Sequence, residues 1–293
     1  LLQLLGSQND MATIRLQSLR LPGGDSGGIP GYGGQRDGAE AVFRIKGPDF
    51  GNPEVDGMMM GRILDVLFPR RCPVCGEIVV PAGRFVCPSC LGRLSPVKEP
   101  VCKRCGKEIS DPSEEYCDIC RGKKRSFESG VALLNYNEAA RKSMSRIKYE
   151  NKREFLDFYG AALAYRYEKE IKRMQANCIV PVPVHSSRKR SRGFNQAEVL
   201  ADIVGQKLGI PVEKKLLVRP KKTMPQKNLS ASQRLRNLSG AFAAGTIPKG
   251  IRTVLIVDDI YTTGSTIEAC SRVLKDAGIE RVYFAVLCAT GGR

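Results

Sequence analysis

Short apolar runs alternate with amphipathic stretches through the second half of the chain. GVALLNY (130–136), CIVPVPV (178–184), TVLIVDDI (253–260) and RVYFAVLCA (281–289) read as strands. Within the third, residues 254–257 have the unbroken apolar character of a parallel strand buried on both faces. Helical segments are predicted over 138–148, 152–174, 194–209 and 265–277. Asn137 is the expected N-cap of the first, with Glu138 in its opening turn, and Gly209 and Gly278 stop the last two. In 265–277, Ile267, Cys270, Val273, Leu274 and Ala277 share one face. Lys148 and Tyr149 fall at the break between the first two helices, and IPVEKKLLVRP (210–220) is strand-like. This alternation predicts an α/β domain with a largely parallel sheet. Ligands of such open sheets sit beyond the carboxyl ends of the strands.

The third run stops on two acids, Asp258 and Asp259, and enters the loop IYTTGST (260–266) ahead of a helix. A helix N-terminus turns free N–H groups and the positive end of its dipole toward a phosphate. Thr262, Thr263, Ser265 and Thr266 add hydroxyl donors, and Gly264 permits close backbone approach. A phosphate alone does not explain the aspartates, because carboxylates repel it. Vicinal hydroxyls do, since a carboxylate accepts two hydrogen bonds from a diol. The pattern implies a ribose phosphate, its 5′-phosphate in the loop and its 2′ and 3′ hydroxyls on the acids. The competing reading is a DD helix entry with ordinary Thr/Ser capping.

Cysteine adds a second chemistry. Cys72, Cys75, Cys87 and Cys90 form C-x2-C-x11-C-x2-C, and Cys102, Cys105, Cys117 and Cys120 repeat that spacing. Gly76 and Gly106 follow the second cysteine of their knuckles, where a small residue lets N–H groups turn toward thiolates. Such quartets suit tetrahedral zinc, with iron–sulfur ligation as the alternative and disulfides disfavoured by the lack of an export signal. The spacing leaves open whether each quartet holds one zinc or the two interleave. The metals are expected to prop up a ribbon too small to bury its own core, leaving ligand affinity independent of them. Cys178, Cys270 and Cys288 lie in apolar runs and read as core.

The chain has 293 residues and a formal net charge of +17. Residues 1–57 hold 5 basic and 7 acidic side chains, which leaves 42 basic and 23 acidic in the remainder. The surplus favours polyanions: nucleic acid, phosphorylated metabolites or anionic lipid. Residues 1–57, rich in Gly and Pro as in GGDSGGIPGYGG (23–34), read as a disordered or extraneous segment without the build of a secretory signal. Met58, Met59 and Met60 offer an expected start. No apolar run reaches membrane-spanning length. The organisation read from the chain is therefore 1–57 as a leading segment, 58–125 as a double zinc ribbon and 126–293 as the α/β domain.

VLIVDDIYTTGST (254–266) resembles the phosphoribosyl-diphosphate (PRPP) motif of type I phosphoribosyltransferases. PVPVHSSRKRSRGFNQA (181–197) and KKTMPQKNLSASQRLRNLSGAF (221–242) resemble signature segments of the ComF family, whose relatives include the gluconate-utilisation protein GntX. Members carry an N-terminal double zinc ribbon, matched by 72–120, and the resemblance covers about 62–290. It implies a type I phosphoribosyltransferase-like domain preceded by the ribbon, with two structural Zn2+ and with Mg2+ accompanying PRPP. It implies that Asp258 and Asp259 hold ribose and that Thr262, Thr263, Gly264, Ser265 and Thr266 hold the 5′-phosphate. The loop after strand 178–184, with Arg188, Lys189, Arg190 and Arg192, takes the place of the pyrophosphate loop, and 219–237 that of the mobile hood. It further implies a cytoplasmic protein of competence and DNA uptake.

Three function classes follow. The first is a phosphoribosyltransferase that releases pyrophosphate from PRPP, with no catalytic residue assigned. The second is a scaffold for single-stranded DNA working beside a DNA-uptake helicase. Residues 186–236 carry 13 basic and 3 acidic side chains, but Phe194 is their lone aromatic, and stacking platforms interleave aromatics with cations. The third is a PRPP-sensing regulator. His185, the chain's single histidine, reads as a loop hydrogen-bonding residue, with a catalytic base as the alternative.

Overall fold

The computed structural model describes residues 69–81, 84–220 and 240–291. The leading segment, the methionine run and most of the expected hood lie outside the described residues. After the one-turn helix α1 (Pro88–Leu91) come β1 (Gly130–Asn135), α2 (Glu138–Tyr149), α3 (Phe155–Arg166), α4 (Glu168–Arg173) and β2 (Cys178–Pro181). Then follow α5 (Ser186–Arg192), α6 (Gln196–Leu208), β3 (Leu217–Val218), β4 (Ala243–Ala244), β5 (Thr253–Tyr261), α7 (Ser265–Asp276) and β6 (Arg281–Ala289). Four strands form one parallel sheet in the order β1-β6-β5-β2, and β3 and β4 make a separate antiparallel pair. The parallel α/β architecture expected from the alternating pattern is present.

Local signals placed most boundaries. Asn137 caps α2 by accepting from the Ala140 N–H at 2.9 Å, and Asn195 caps α6, accepting from the Ala197 N–H at 3.1 Å. The helix expected over 152–174 is two helices, because Tyr167 leaves helical geometry (φ −112°, ψ 21°). Its hydroxyl donates to the Ala132 carbonyl at 2.7 Å, a tertiary partner outside any local pattern. The strand expected to Val184 stops at Pro181: Val182 N–H still reaches the Val257 carbonyl at 3.0 Å, but Pro181 and Pro183 have no N–H to extend the ladder. The strand-like stretch 210–220 reduces to a bridge at Val212 and the two residues of β3. On α7, Ile267, Cys270 and Leu274 are buried and Val273 is partly so, whereas Ala277 is exposed at the C-cap.

Alternation along β5 divides the core in two. Leu255 and Val257 pack with α3, α6 and the first knuckle residues Cys72 and Val74. Val254 and Ile256 face the other way, with α7, Phe242 and the second knuckle residues Cys102 and Cys105. The two cysteine quartets thus belong to opposite faces of the sheet. Between them the chain runs along the free edge of β1: Val97 N–H donates to Leu133 at 3.1 Å and Asn135 N–H to Ser95 at 2.7 Å. This covers an edge that would otherwise invite pairing with another chain.

Gly106 lets the second knuckle lie on β1, and Gly130 makes room for the Phe284 ring of β6. A Cβ on Gly106 would stand 2.5 Å from the Gly130 carbonyl, and one on Gly130 would stand 2.4 Å from the Phe284 ring. Gly130→Ala is expected to cost about 1–3 kcal/mol through overpacking. A urea denaturation midpoint equal to the parent's would contradict this close contact.

Candidate functional site

β5 outruns β2. The β2 ladder ends with Pro181 opposite Val257, whereas β5 continues beside β6 as far as Tyr261 opposite Ala289. Asp258 and Asp259 therefore lie inside the strand, not after it, at 8% and 6% exposure. They sit at the carboxyl end of the sheet, past the shorter neighbour, where α/β folds open their ligand crevices. Consecutive strand residues face opposite sides. Asp259 meets α2, where Lys148 pairs with its Oδ2. Asp258 has Cys270 of α7 and Arg219 as electrostatic neighbours, and its Oδ1 accepts from the Asp259 N–H at 2.8 Å.

Burial pushes the Asp258 carboxyl well above the usual range, and the adjacent Asp259 charge adds to the effect. Burial acts on Asp259 in the same direction, but the Lys148 ammonium overrides it and its pKa is lowered. Lys148 mirrors this: burial opposes its charge, and the Asp259 carboxylate more than compensates, so its pKa is raised. One acid is thus a fixed, paired anion, and the other resists ionising.

Cations from separate elements surround the pair. The stretch after β2, expected as a loop, is the short helix α5, so Arg188 and Arg192 at i and i+4 share a face and Arg190 lies on the opposite one. Arg192 is half-buried; burial lowers its pKa while Asp259 draws it up, and its guanidinium donates to the Gln196 side chain. Arg188 lies near enough to repel both Arg192 and Arg219. Arg219, just past β3, stands 5.0 Å over the Phe242 ring. Arg190 is exposed, and Lys189 is tied to Glu198 at 2.9 Å. His185 caps α5: its Nδ1 accepts from the Ser187 N–H at 3.2 Å, the loop hydrogen-bonding role read from the sequence. Tyr149, 79% exposed, places its ring 6.0 Å from the Arg192 guanidinium carbon.

Thr262, Thr263 and Gly264 link β5 to α7. Gly264 is the N-cap, with φ 78° and no side-chain capping bond, so neither aspartate caps this helix. Thr263 and Ser265 hydroxyls bond each other at 2.8 Å, beside the orphan N–H groups of the first turn. Thr266 falls in that turn. A Cβ on Gly264 would stand 2.3 Å from the Tyr261 hydroxyl, so glycine is required by the loop's own packing as well as by its backbone angle.

The cysteines group as two sequential quartets, not interleaved, with each set of sulfurs within 4.8 Å. Cys105 and Cys117 sulfurs are 3.6 Å apart, and Cys75 and Cys87 sulfurs 4.0 Å. Zinc with Zn–S bonds of about 2.3 Å needs tetrahedral sulfurs about 3.8 Å apart, so the donor set fits. Gly76 and Gly106 take φ of 87° and 66° in the knuckle turns. Cys178, Cys270 and Cys288 are core thiols; burial pushes Cys178 up to about 12.

Residues 63–121 match the double zinc ribbon domain family, and residues 191–293 match the phosphoribosyl transferase domain family. Competence protein F of Haemophilus influenzae is 32% identical over 169 residues, which cover 56% of this chain and 73% of that protein. The chain belongs to the ComF family. Competence protein ComFC of Streptococcus pneumoniae is 33% identical over 153 residues, covering 52% of this chain and 64% of that protein. DNA utilization protein YhgH of Salmonella typhi is 38% identical over 112 residues, covering 38% and 49%. The chain thus spans about half to two thirds of those two relatives.

In this ComF-family chain the sequence reading gathered the acids, the loop and Arg188, Arg190 and Arg192; the structure sets Arg192 near Asp259 with Arg188 beside it, and leaves Arg190 exposed on the opposite face of α5. It did not single out Lys148, Arg219 or Tyr149 as parts of the site. The break after α2 was visible, yet no spacing rule links position 148 to 259. Arg219 ends the strand-like stretch 210–220 and opens the expected hood, and neither reading ties it to Asp258.

Two predictions follow from the unequal acids. Asp258, with a raised folded pKa, favours the fold while protonated; this contribution is complete below about pH 4 and is lost as pH climbs through the folded value. Asp258→Asn should therefore raise the Tm of ligand-free protein at pH 7, with the gain shrinking toward pH 4. Asp259, with a lowered pKa, contributes stability above about pH 4 and loses it as pH falls through the folded value. Asp259→Asn strands Lys148 and should cost about 3 kcal/mol at pH 7. Thermal melts at both pH values check the pair, and equal shifts in the two variants would contradict the assignment. Purified protein should also carry one zinc per quartet, and Cys72→Ser should release one, read by a chromophoric chelator.

Proposed function

We propose that this ComF-family chain binds PRPP at the carboxyl end of β5 and acts in DNA uptake as a phosphoribosyltransferase. The observation that carries the reading is a buried acid pair set between a helix-N-terminal loop and arginines from α5 and from just past β3. A ligand suited to it has a diol in the middle and anions at both ends. Lys148 holds Asp259 ionised, leaving Oδ1 to accept from a ribose hydroxyl, and Asp258 takes the other. Thr262, Thr263, Gly264, Ser265 and Thr266 receive the 5′-phosphate on N–H and hydroxyl donors. Arg188, Arg192 and Arg219 face the diphosphate with guanidinium forks.

Besides the cysteine quartets, no cluster of three or more His, Cys, Asp or Glu among the described residues makes a metal cage. Magnesium accompanying the diphosphate would supply extra charge to the leaving group beside Arg188, Arg192 and Arg219. In the transfer, a nitrogen nucleophile forms a bond to C1 as the C1–O bond breaks, and the electron pair leaves on pyrophosphate. The protein's part is to hold the ribose and to neutralise the departing charge. No described helix is long and apolar enough to cross a membrane.

One observation favours single-stranded DNA as a second ligand. Phe194 is buried and cannot stack, but the exposed Tyr149 stands beside Arg192 and pairs an aromatic face with a cation.

Calorimetric titration with PRPP and Mg2+, and with ribose 5-phosphate, tests the reading. Asp258→Asn should weaken both about tenfold, the loss of a buried carboxyl partner for a ribose hydroxyl. Arg188→Ala with Arg192→Ala should weaken PRPP alone. A parent protein that binds neither ligand rules the proposal out. Binding without pyrophosphate release across nucleobases and amines makes it a sensor. Salt-sensitive DNA binding that is lost in Tyr149→Ala supports the second ligand.

A further inference from the structure

Lys107 is a lysine with only 1% exposure, two residues beyond Cys105 in the second knuckle. Among the described residues it makes no ion pair. Its ammonium instead donates to three carbonyls: Thr262 at 2.7 Å, Thr290, and Gly291 at 3.4 Å. Those bonds use all three of its donors. Arg125, at the end of the same ribbon, donates to the Thr263 carbonyl at 3.2 Å and to Ile119 at 3.4 Å. Two consecutive carbonyls of the loop before α7 are therefore held by cations from the ribbon. Within a planar trans peptide the C=O and N–H point in opposite directions. Drawing the Thr262 and Thr263 carbonyls toward the ribbon aims the N–H groups of Thr263 and Gly264 away from it. Burying an ammonium is costly, and here peptide dipoles and the Tyr261 ring, 5.3 Å from Nζ, offset it. The first knuckle has no such link: its Val74 and Cys75 carbonyls accept from Arg146 of α2, both at 3.2 Å, on the other face of the sheet.

We propose that Lys107 and Arg125 are positioning residues for the phosphate loop. They hold two peptide planes so that the N–H groups of Thr263 and Gly264 are presented to the 5′-phosphate of a ribose phosphate. This deepens, and rests on, the PRPP reading. It makes the second knuckle part of the ligand site, against the expectation that the ribbon only props the fold.

The test uses the full chain with its zinc, Lys107→Met, Arg125→Gln and the conservative Arg125→Lys. Two readouts are taken: hydrogen exchange of the loop amides without ligand, and calorimetric affinity for ribose 5-phosphate. Lys107→Met should keep the parent's zinc content and protection in β5. Its exchange at Thr263 and Gly264 should rise, and its ribose 5-phosphate affinity should fall about tenfold, the effect of a charged hydrogen bond. Arg125→Gln should act likewise but less strongly, and Arg125→Lys should restore parental behaviour, which a purely space-filling role would not produce. If Lys107→Met loses zinc or fails to fold, the Arg125 pair decides. Loop exchange unchanged in the folded variants overturns the proposal. Raised exchange in a protein whose parent binds no ribose 5-phosphate upholds the anchoring and removes the PRPP reading instead.

Discussion

A carboxylate within a strand of a buried parallel sheet is tolerable only where the sheet stops covering it and cations can reach it. Both conditions come from the way β2 ends. Pro181 and Pro183 cannot donate to a ladder, so β2 stops opposite Val257 and β5 runs on alone on that side. Asp258 and Asp259 occupy the first two positions of the overhang. The rest of the site compensates them: Lys148 from the end of α2, Arg192 and Arg188 from one face of α5, and Arg219 from beyond β3.

The compensation is uneven, and that unevenness has chemical use. Asp259 with Lys148 is a settled ion pair whose members hold each other charged. Asp258 has no such partner among the described residues and resists ionising. A diol that donates to it would relieve part of that penalty, so ligand binding and the relief of an unfavourable buried group run together.

The ribbon solves a different problem with the same sheet. Neither cysteine quartet has a core of its own, and each borrows one: the first packs against α2 and α3, the second against α7 and β1. The segment between them closes the β1 edge. Because the second quartet lies on the α7 face, Lys107 and Arg125 come within hydrogen-bonding distance of the loop that opens α7. Ribbon and loop are thus joined through backbone carbonyls.

Much of this was legible in one dimension. The strands, the caps at Asn137 and Gly209, the cysteine quartets and the DD-to-Thr/Gly/Ser loop are all patterns among near neighbours in sequence, and covalent neighbours dictate them. The boundaries that slipped did so for tertiary reasons: Tyr167 breaks a helix to reach Ala132, and the stretch after His185 coils into α5. That coil decides which arginines converge, since Arg188 and Arg192 share a face that Arg190 does not. Packing alone decided the partners: Lys148 on Asp259, Arg219 near Asp258, Lys107 beneath Thr262. Each joins positions far apart in the chain, and no local periodicity carries that information, because a buried charge is matched by whichever opposite charge or dipole the fold delivers to it.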